Sequence, residues 1–200
     1  MKKQETAHLV GNGSWASFFD HNSKGLRITC NLPPFAIEKV YATCIVDFKM
    51  MKAMTEGSIV VPGQWILGYR PKLWMEKHQS FYMKHAHQVR EFYLKLPKYV
   101  PSYTDLSCGH MATHYTCNKF EPKELHMYGF NSMFDFDLYS CTDFYLNSNR
   151  DTGITTRLTN RWRAIWPSMF KEFPNTEFII HGRHNHLKFE VPDNVSVKIH

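Results

Sequence analysis

Two glycine-bearing turns in this sequence have the residue types that a phosphate-binding site needs. Gly11-Asn12-Gly13-Ser14 follows the apolar run of residues 8–10, and Ser107-Cys108-Gly109 opens a second segment with helical character. The start of a helix presents unpaired N–H groups and a partial positive charge to an anion, and glycine lets a ligand approach the backbone. The two turns together favour a nucleotide or phosphate site, although either one alone is also typical of a plain turn.

Three more candidate residues stand where strand-like segments end. Asn31 ends the segment Gly25–Asn31, and Gly129 and Phe130 end the segment that begins at Glu124. Ligands of open α/β sheets bind beyond the carboxyl ends of the strands. We therefore expect Asn31, Gly129 and Phe130 to contact the same nucleotide as the two glycine turns.

The histidines after residue 180 are candidates for acid–base chemistry. His181, His184 and His186 end or follow the strand-like segment Glu177–His181. Because a neutral imidazole can take a proton from a hydroxyl group, we predict His181 and His184 as catalytic bases. A surface turn accounts for the histidine run equally well, and metal binding is a further alternative.

Asp135-Phe136-Asp137 is the candidate metal motif of the chain. In an extended segment its two carboxylates lie on one side, as a divalent cation requires. We favour a solvated turn in which Phe134 and Phe136 pack inward. The prediction is therefore that no metal cofactor is bound, with Asp135 and Asp137 as the place for a divalent metal in the alternative case.

Composition and charge narrow the class of protein. The 200 residues are 43% hydrophobic and 21% charged, which suits one domain with a buried core rather than a disordered tail. The net charge is +6, and the first hundred residues carry 14 Lys and Arg against 7 Asp and Glu. This bias favours an anionic ligand. A nucleic-acid-binding tail is unsupported, because no block of five basic residues occurs, and a nucleic-acid partner stays an unsupported alternative.

Cysteine usage and hydropathy indicate a cytoplasmic protein. The five cysteines are odd in number and form no Cys-x-x-Cys motif, as expected for free thiols in a reducing compartment. We find no signal peptide and no apolar run near the ~20 residues of a membrane span. No membrane partner is expected.

Alternating strand-like and helix-like segments predict an α/β domain with a mostly parallel sheet flanked by helices. The predicted strands are 8–10, 25–31, 42–47, 58–61, 124–129, 177–181 and an edge strand at 195–199. The predicted helices are 15–20, with Ser14 as its cap, then 48–55, 81–96, 107–120 and 160–173. Residues 64–80 predict a large aromatic loop, which could stack on a sugar or a base or form a packed lid.

The order of these motifs resembles one family. Val10-Gly11-Asn12-Gly13, with Leu26 to Asn31 downstream, is similar to the large motif of family 29 sialyltransferases. Ser107-Cys108-Gly109 and the strand ending in Tyr128-Gly129-Phe130 look like the small motif of that family. The whole is also similar to small sialyltransferase-like proteins of bacteriophages.

The resemblance implies a single Rossmann-like glycosyltransferase domain over residues 1–200 that binds a cytidine nucleotide without a metal. Asn12 and Asn31 would contact the phosphate or ribose, while Ser107 and Gly109 would hold the nucleotide from the other side. A histidine would act as the base when sugar passes from the nucleotide sugar to an acceptor hydroxyl. A phage-encoded protein would work in the host cytoplasm.

One family feature is missing. The catalytic His-x-x-x-x-Glu pattern has no counterpart on the late helix, where residues 157–162 contain neither His nor Glu. This leaves a second hypothesis, a catalytically reduced phage protein that binds a nucleotide or sequesters a nucleotide signal. A DNA-binding or DNA-modifying protein is the third.

Overall fold

The computed structural model describes residues 4–134 and 152–200, which form one eight-stranded sheet with helices around it. The strands are β1 (Thr6–Val10), β2 (Leu26–Cys30), β3 (Ala42–Ile45), β4 (Trp65–Leu67), β5 (Val89–Phe92), β6 (Glu124–Tyr128), β7 (Glu177–Gly182) and β8 (Val195–Ile199). The α-helices are α1 (Phe48–Thr55), α2 (Tyr69–Lys77), α3 (Gln79–His85), α4 (Cys108–Phe120) and α5 (Thr152–Glu172). Short 3₁₀ turns occupy Ser14–Phe18, Ala86–Gln88 and Asn131–Met133. Asp135, Phe136 and Asp137 lie outside the described residues.

The topology is doubly wound. All seven strand pairings are parallel, and the spatial order is β5-β4-β3-β2-β1-β6-β7-β8. The chain builds the sheet outward from β1 to β5, returns through α4 to the other side of β1, and continues outward to β8. The α/β prediction is confirmed, and the direction of winding reverses between β1 and β6.

Two groups of helices cover opposite faces of the sheet. Leu9, Met127 and Ile180 belong to one face and pack in a common core with residues of α4 and α5. Ile45 and Leu67 point to the other face, where the methionines of α1 and α2 cover them. The aromatic and methionine content of the sequence is therefore largely core material.

The predicted strand at 58–61 and the predicted helix at 81–96 are wrong. Ile59 and Val61 are buried beside α1, outside the sheet, while the real fourth strand is Trp65–Leu67. Three residues are too few for a periodic signal, and only pairing on both sides makes this segment a strand. The predicted helix ends at His85, where a 3₁₀ turn leads into β5.

A row of four imidazoles lies on the same face of the sheet as α1 and α2. Those helices cover β3 and β4, whereas the imidazoles cross from β1 to β8. The histidine row consists of His8 on β1, His126 on β6, His181 on β7 and His200 after β8. His126 Nδ1 lies 3.0 Å from His181 Nε2, and His181 Nδ1 lies 2.7 Å from His200 Nε2. The rings of His8 and His126 stack at 5.1 Å.

One arrangement of protons satisfies the hydrogen-bonded part of the row. If each ring carries its proton on Nε2, His200 donates to His181, His181 donates to His126, and His126 directs its N–H at the Glu124 carboxylate, 3.5 Å away. With the protons on Nδ1 instead, the lone pair of His126 Nε2 would face that carboxylate, which is unfavourable. Burial, followed by the neighbouring His126 and His200, lowers the pKa of His181 to about 3. Burial also lowers the pKa of His8, His126 and His200, so the row is neutral near pH 7.

We expect the folded protein to lose stability as the pH falls from about 6.5 toward 3. The unfolded chain protonates His181 at its ordinary pKa of 6.5, whereas the folded chain resists until about 3. This residue alone should therefore remove about 2 kcal/mol of unfolding free energy between about pH 7 and pH 5. Urea titrations at both pH values measure the loss.

His181→Gln should reduce that pH dependence, because the amide does not titrate and can still hydrogen-bond to a neighbouring ring. His186→Gln, which changes an exposed imidazole, is the matched control and should leave the dependence intact. If the unfolding free energy fell equally with pH in wild type and in His181→Gln, protonation of His181 would not be the cause of the loss.

Candidate functional site

The turns after β1 and β6 run side by side where the winding reverses. Gly11 N–H donates to Tyr128 O at 2.8 Å, and Gly13 N–H donates to Gly129 O at 3.1 Å. Backbone hydrogen bonds thus continue the β1–β6 pairing beyond the strands. The structure brings these predicted site residues together at the carboxyl edge of the sheet, and Asn12 lies half-buried between the two glycines.

The glycines of these turns are required by protein packing. A Cβ on Gly11 would lie 2.8 Å from Gly129 O, and a Cβ on Gly13 would lie 2.3 Å from Asn131 Oδ1. Both distances are too short for a side chain. The space that we expected a ligand to use next to these two residues is occupied by the neighbouring turn.

Asn131 is a site residue that the sequence analysis missed. Its Nδ2 donates to Ser14 Oγ at 2.9 Å, and its Oδ1 accepts from Trp15 N–H at 3.4 Å. The predicted helix at 15–20 is instead a 3₁₀ turn with Gly13 in the cap position, so the expected capping role of Ser14 is wrong. An asparagine one residue after the Tyr-Gly-Phe sequence was the only available signal.

The start of α4 packs against the end of β6. Ser107 Oγ accepts from His110 N–H, and Ser107 N–H donates to His110 Nδ1 at 3.1 Å, which closes a capping box. A Cβ on Gly109 would lie 2.5 Å from Cε1 of Phe130, so the ring rests directly on this glycine. The predicted helix start is confirmed, and Phe130 connects it to the β1–β6 turns.

Cys108 is buried in this contact and is no nucleophile. Its Sγ donates to Cys44 O at 2.8 Å. Burial, followed by the neighbouring Cys30 thiol, raises the pKa of Cys108 well above its ordinary value. A protonated, buried thiol is unreactive, so the side chain of this residue serves in packing.

Within the part of the chain that the structure describes, Asn31 has a buried polar atom without a hydrogen-bond partner. The residue adopts a left-handed conformation (φ 53°) at the end of β2, and its Nδ2 donates to Asp47 Oδ2 at 3.1 Å. Its side-chain oxygen is buried and has no hydrogen-bond partner among the described residues. Buried acceptors are nearly always satisfied. A ligand that donates a hydrogen bond at this position would satisfy the Asn31 oxygen.

A cleft rich in tyrosine follows the carboxyl ends of β3, β4 and β5. We name it the tyrosine cleft, and the residues that line it are Val46, Tyr69, Arg70, Tyr93, Lys95, Tyr103, Leu106 and Met111. Arg70 also lies 3.7 Å from Asp47, the hydrogen-bond partner of Asn31. Because Leu106 directly precedes the capping Ser107, the cleft adjoins the start of α4. The predicted aromatic loop is thus strand and helix, and Tyr69 is the ring that it exposes beside the site.

The two predicted catalytic histidines occupy different surroundings. His181 uses both ring nitrogens within the histidine row. His184 lies just beyond β7 and is half-buried, with its ring edge-on to Trp15 at 5.6 Å and to Phe134 at 5.4 Å. Through Trp15 it adjoins the Gly13 turn. The His181 ring stacks on Tyr128 at the end of β6, with 3.9 Å between centroids, whereas His184 reaches the Gly13 turn through Trp15.

Neither a metal cluster nor a membrane span is found in the part of the chain that the structure describes. No group of three or more His, Cys, Asp or Glu side chains there has an arrangement suited to a metal ion. No helix within it is long and apolar enough to cross a membrane. The candidate metal motif, Asp135 and Asp137, falls outside those residues.

Gly109→Ala should destabilise the protein by about 1–3 kcal/mol, because the new methyl group would overlap the ring of Phe130. Urea unfolding measures the loss. Adding Phe130→Leu, which shortens the ring side chain, should recover part of it. If the double variant were destabilised by the sum of the two single effects, the contact would not be the cause.

Comparisons with protein-family models, with curated proteins and with solved structures found no match for this chain. Its functional interpretation therefore depends on the geometry of the carboxyl edge. That edge combines a winding reversal, two packed glycine turns, the start of a 13-residue helix and an unpaired buried oxygen.

Proposed function

We propose that this protein binds a nucleotide sugar, of cytidine type, and transfers the sugar to an acceptor hydroxyl group. The observation that carries the proposal is the convergence of the two turns, Gly11–Gly13 and Gly129–Phe130, with the start of α4 where the winding reverses. Doubly wound sheets bind nucleotides at such a reversal. The proposed activity is thus that of a sialyltransferase-like glycosyltransferase, as the motif order also implies.

In this proposal the phosphate lies at the start of α4. The N–H groups of Cys108 and Gly109 precede the first hydrogen bond within the helix, from Met111 N–H to Ser107 O, and the helix dipole adds partial positive charge there. The unpaired oxygen of Asn31 accepts a hydrogen bond from a ribose hydroxyl. Asn12 contacts the nucleotide from the β1 turn.

His184 is the proposed base of the transfer step. Nδ1 of His184 accepts a hydrogen bond from His186 N–H at 3.3 Å. Nε2 therefore takes the proton of the acceptor hydroxyl while the acceptor oxygen bonds to the anomeric carbon of the donor. The bond from that carbon to the phosphate oxygen breaks, and its electron pair leaves with the nucleotide. With a pKa of about 3, His181 is too weak a base for this role near neutral pH.

Nucleotide binding without transfer is the second candidate. It is favoured by Arg161 and Trp162, which lie in the segment where the resembled family carries its catalytic His-x-x-x-x-Glu pattern. Arg161 forms an ion pair with Asp105 at 3.3 Å, and the carbonyl oxygen of Trp162 lies 3.1 Å from His110 Nε2. These two positions serve packing and surface charge rather than proton transfer. A protein that only binds or sequesters a nucleotide needs the same turns and the same start of α4.

Isothermal titration with CMP, UMP, AMP and inorganic phosphate tests the binding step. We expect CMP to bind and Asn31→Gly to weaken it about tenfold, because one hydrogen bond is lost while glycine tolerates the left-handed backbone. Asn22→Ala, on an exposed loop, is the matched control and should bind as wild type does. Absence of heat with all four ligands would refute nucleotide binding.

Release of nucleotide from a panel of nucleotide sugars tests the transfer step. His184→Gln should lower turnover by about 10²–10⁴-fold and leave CMP affinity unchanged, as expected for loss of a general base. His186→Gln is the neighbouring control and should keep full turnover. Full turnover in His184→Gln would exclude it as the base, and CMP binding without turnover of any donor would favour the second candidate.

A further inference from the structure

Tyr93 and Tyr103 present ring surface to the tyrosine cleft rather than a free hydroxyl group. Tyr93 Oη is bonded to His114 Nδ1 at 2.9 Å, and Tyr103 donates its hydroxyl proton to Leu94 O at 2.5 Å. Both hydroxyl groups are thus used inside the protein. A ligand in the cleft would meet aromatic carbon and apolar side chains, with the cations Arg70 and Lys95 also in the lining.

Tyr69 provides the accessible stacking surface. Its ring lies nearly parallel to that of Tyr103, with 4.7 Å between centroids and 16° between planes. The residue is 41% exposed, although it directly follows a buried strand. One side of the ring is therefore supported by Tyr103 while the side chain remains open to solvent, which is the arrangement of a stacking platform.

Polar groups stand between the cleft and the start of α4. The Arg70 guanidinium lines the cleft and lies 3.7 Å from the carboxylate of Asp47, which accepts a hydrogen bond from Asn31 Nδ2. The chain passes from Leu106 in the cleft directly to the capping Ser107. The edge therefore offers three neighbouring positions for one ligand. They are a place for a flat ring at the cleft, an acceptor at Asn31 and a place for a phosphate at the start of α4.

From this sequence of contacts we infer that the nucleobase of the nucleotide binds at the opening of the tyrosine cleft, on the exposed ring of Tyr69. The base stacks on Tyr69, and Arg70 donates hydrogen bonds to its carbonyl edge. The ribose then lies at Asn31 and the phosphate at the start of α4. This inference rests on the proposed function, since it concerns the orientation of the same nucleotide, and it is not part of the family resemblance.

Two ligands separate the base from the rest of the nucleotide. CMP contains the base, ribose and phosphate, whereas ribose 5-phosphate lacks the base. Tyr69→Ala should weaken CMP binding by about 5- to 150-fold, the range that loss of one base–aromatic stack produces. The affinity for ribose 5-phosphate should stay the same in this variant.

Tyr69→Phe is the matched control, because it keeps the ring and removes the hydroxyl, and it should bind CMP within about twofold of wild type. Arg70→Gln is a second variant that leaves the ring pair in place, and it should also weaken CMP more than ribose 5-phosphate. Magnetisation transfer by NMR from the protein to CMP should be stronger at the base protons than at the ribose protons.

The outcomes distinguish the two proposals. If CMP binds to wild type and neither Tyr69→Ala nor Arg70→Gln changes the affinity for CMP, the base lies elsewhere and only this inference fails. If Tyr69→Ala weakens CMP and ribose 5-phosphate equally, the cleft holds the sugar phosphate or supports the fold, and the inference is again wrong. If neither ligand binds to wild type, the proposed function fails with it.

Discussion

The close contact between the turns after β1 and β6 is the constraint on which the candidate site depends. Gly11 and Gly13 let the first turn lie against Gly129 and Asn131 at distances that no side chain would allow. Two backbone hydrogen bonds hold the turns in this register. Because the winding of the sheet reverses here, the same contact sets where a ligand would enter.

Phe130 and Asn131 extend this contact to both sides. Phe130 packs on Gly109 and fixes the start of α4, while Asn131 bonds to the beginning of the 3₁₀ turn at Ser14. The proposed phosphate position, the proposed base His184 and the tyrosine cleft are all placed relative to these two residues. A methyl group at Gly109 would therefore disturb the site through packing, without removing any group that binds the ligand.

The histidine row shows how burial changes the basicity of an imidazole. His181 and His184 are three residues apart and looked equivalent as bases. His181 ends up among three other imidazoles from neighbouring strands, where burial lowers its pKa to about 3. His184 passes the end of β7 and stands beside Trp15 instead. Strand register, which sequence spacing does not encode, separates their roles.

Local sequence was sufficient for the α/β class, for most strands, for α1 and for the start of α4 at Ser107. Those features rest on short-range causes: apolar runs, glycine turns and a capping residue. The strand Trp65–Leu67, the hydrogen bond from Asn131 to Ser14 and the unpaired oxygen of Asn31 required the tertiary structure. Each depends on partners more than ten residues away, because strand pairing, turn packing and burial are long-range interactions.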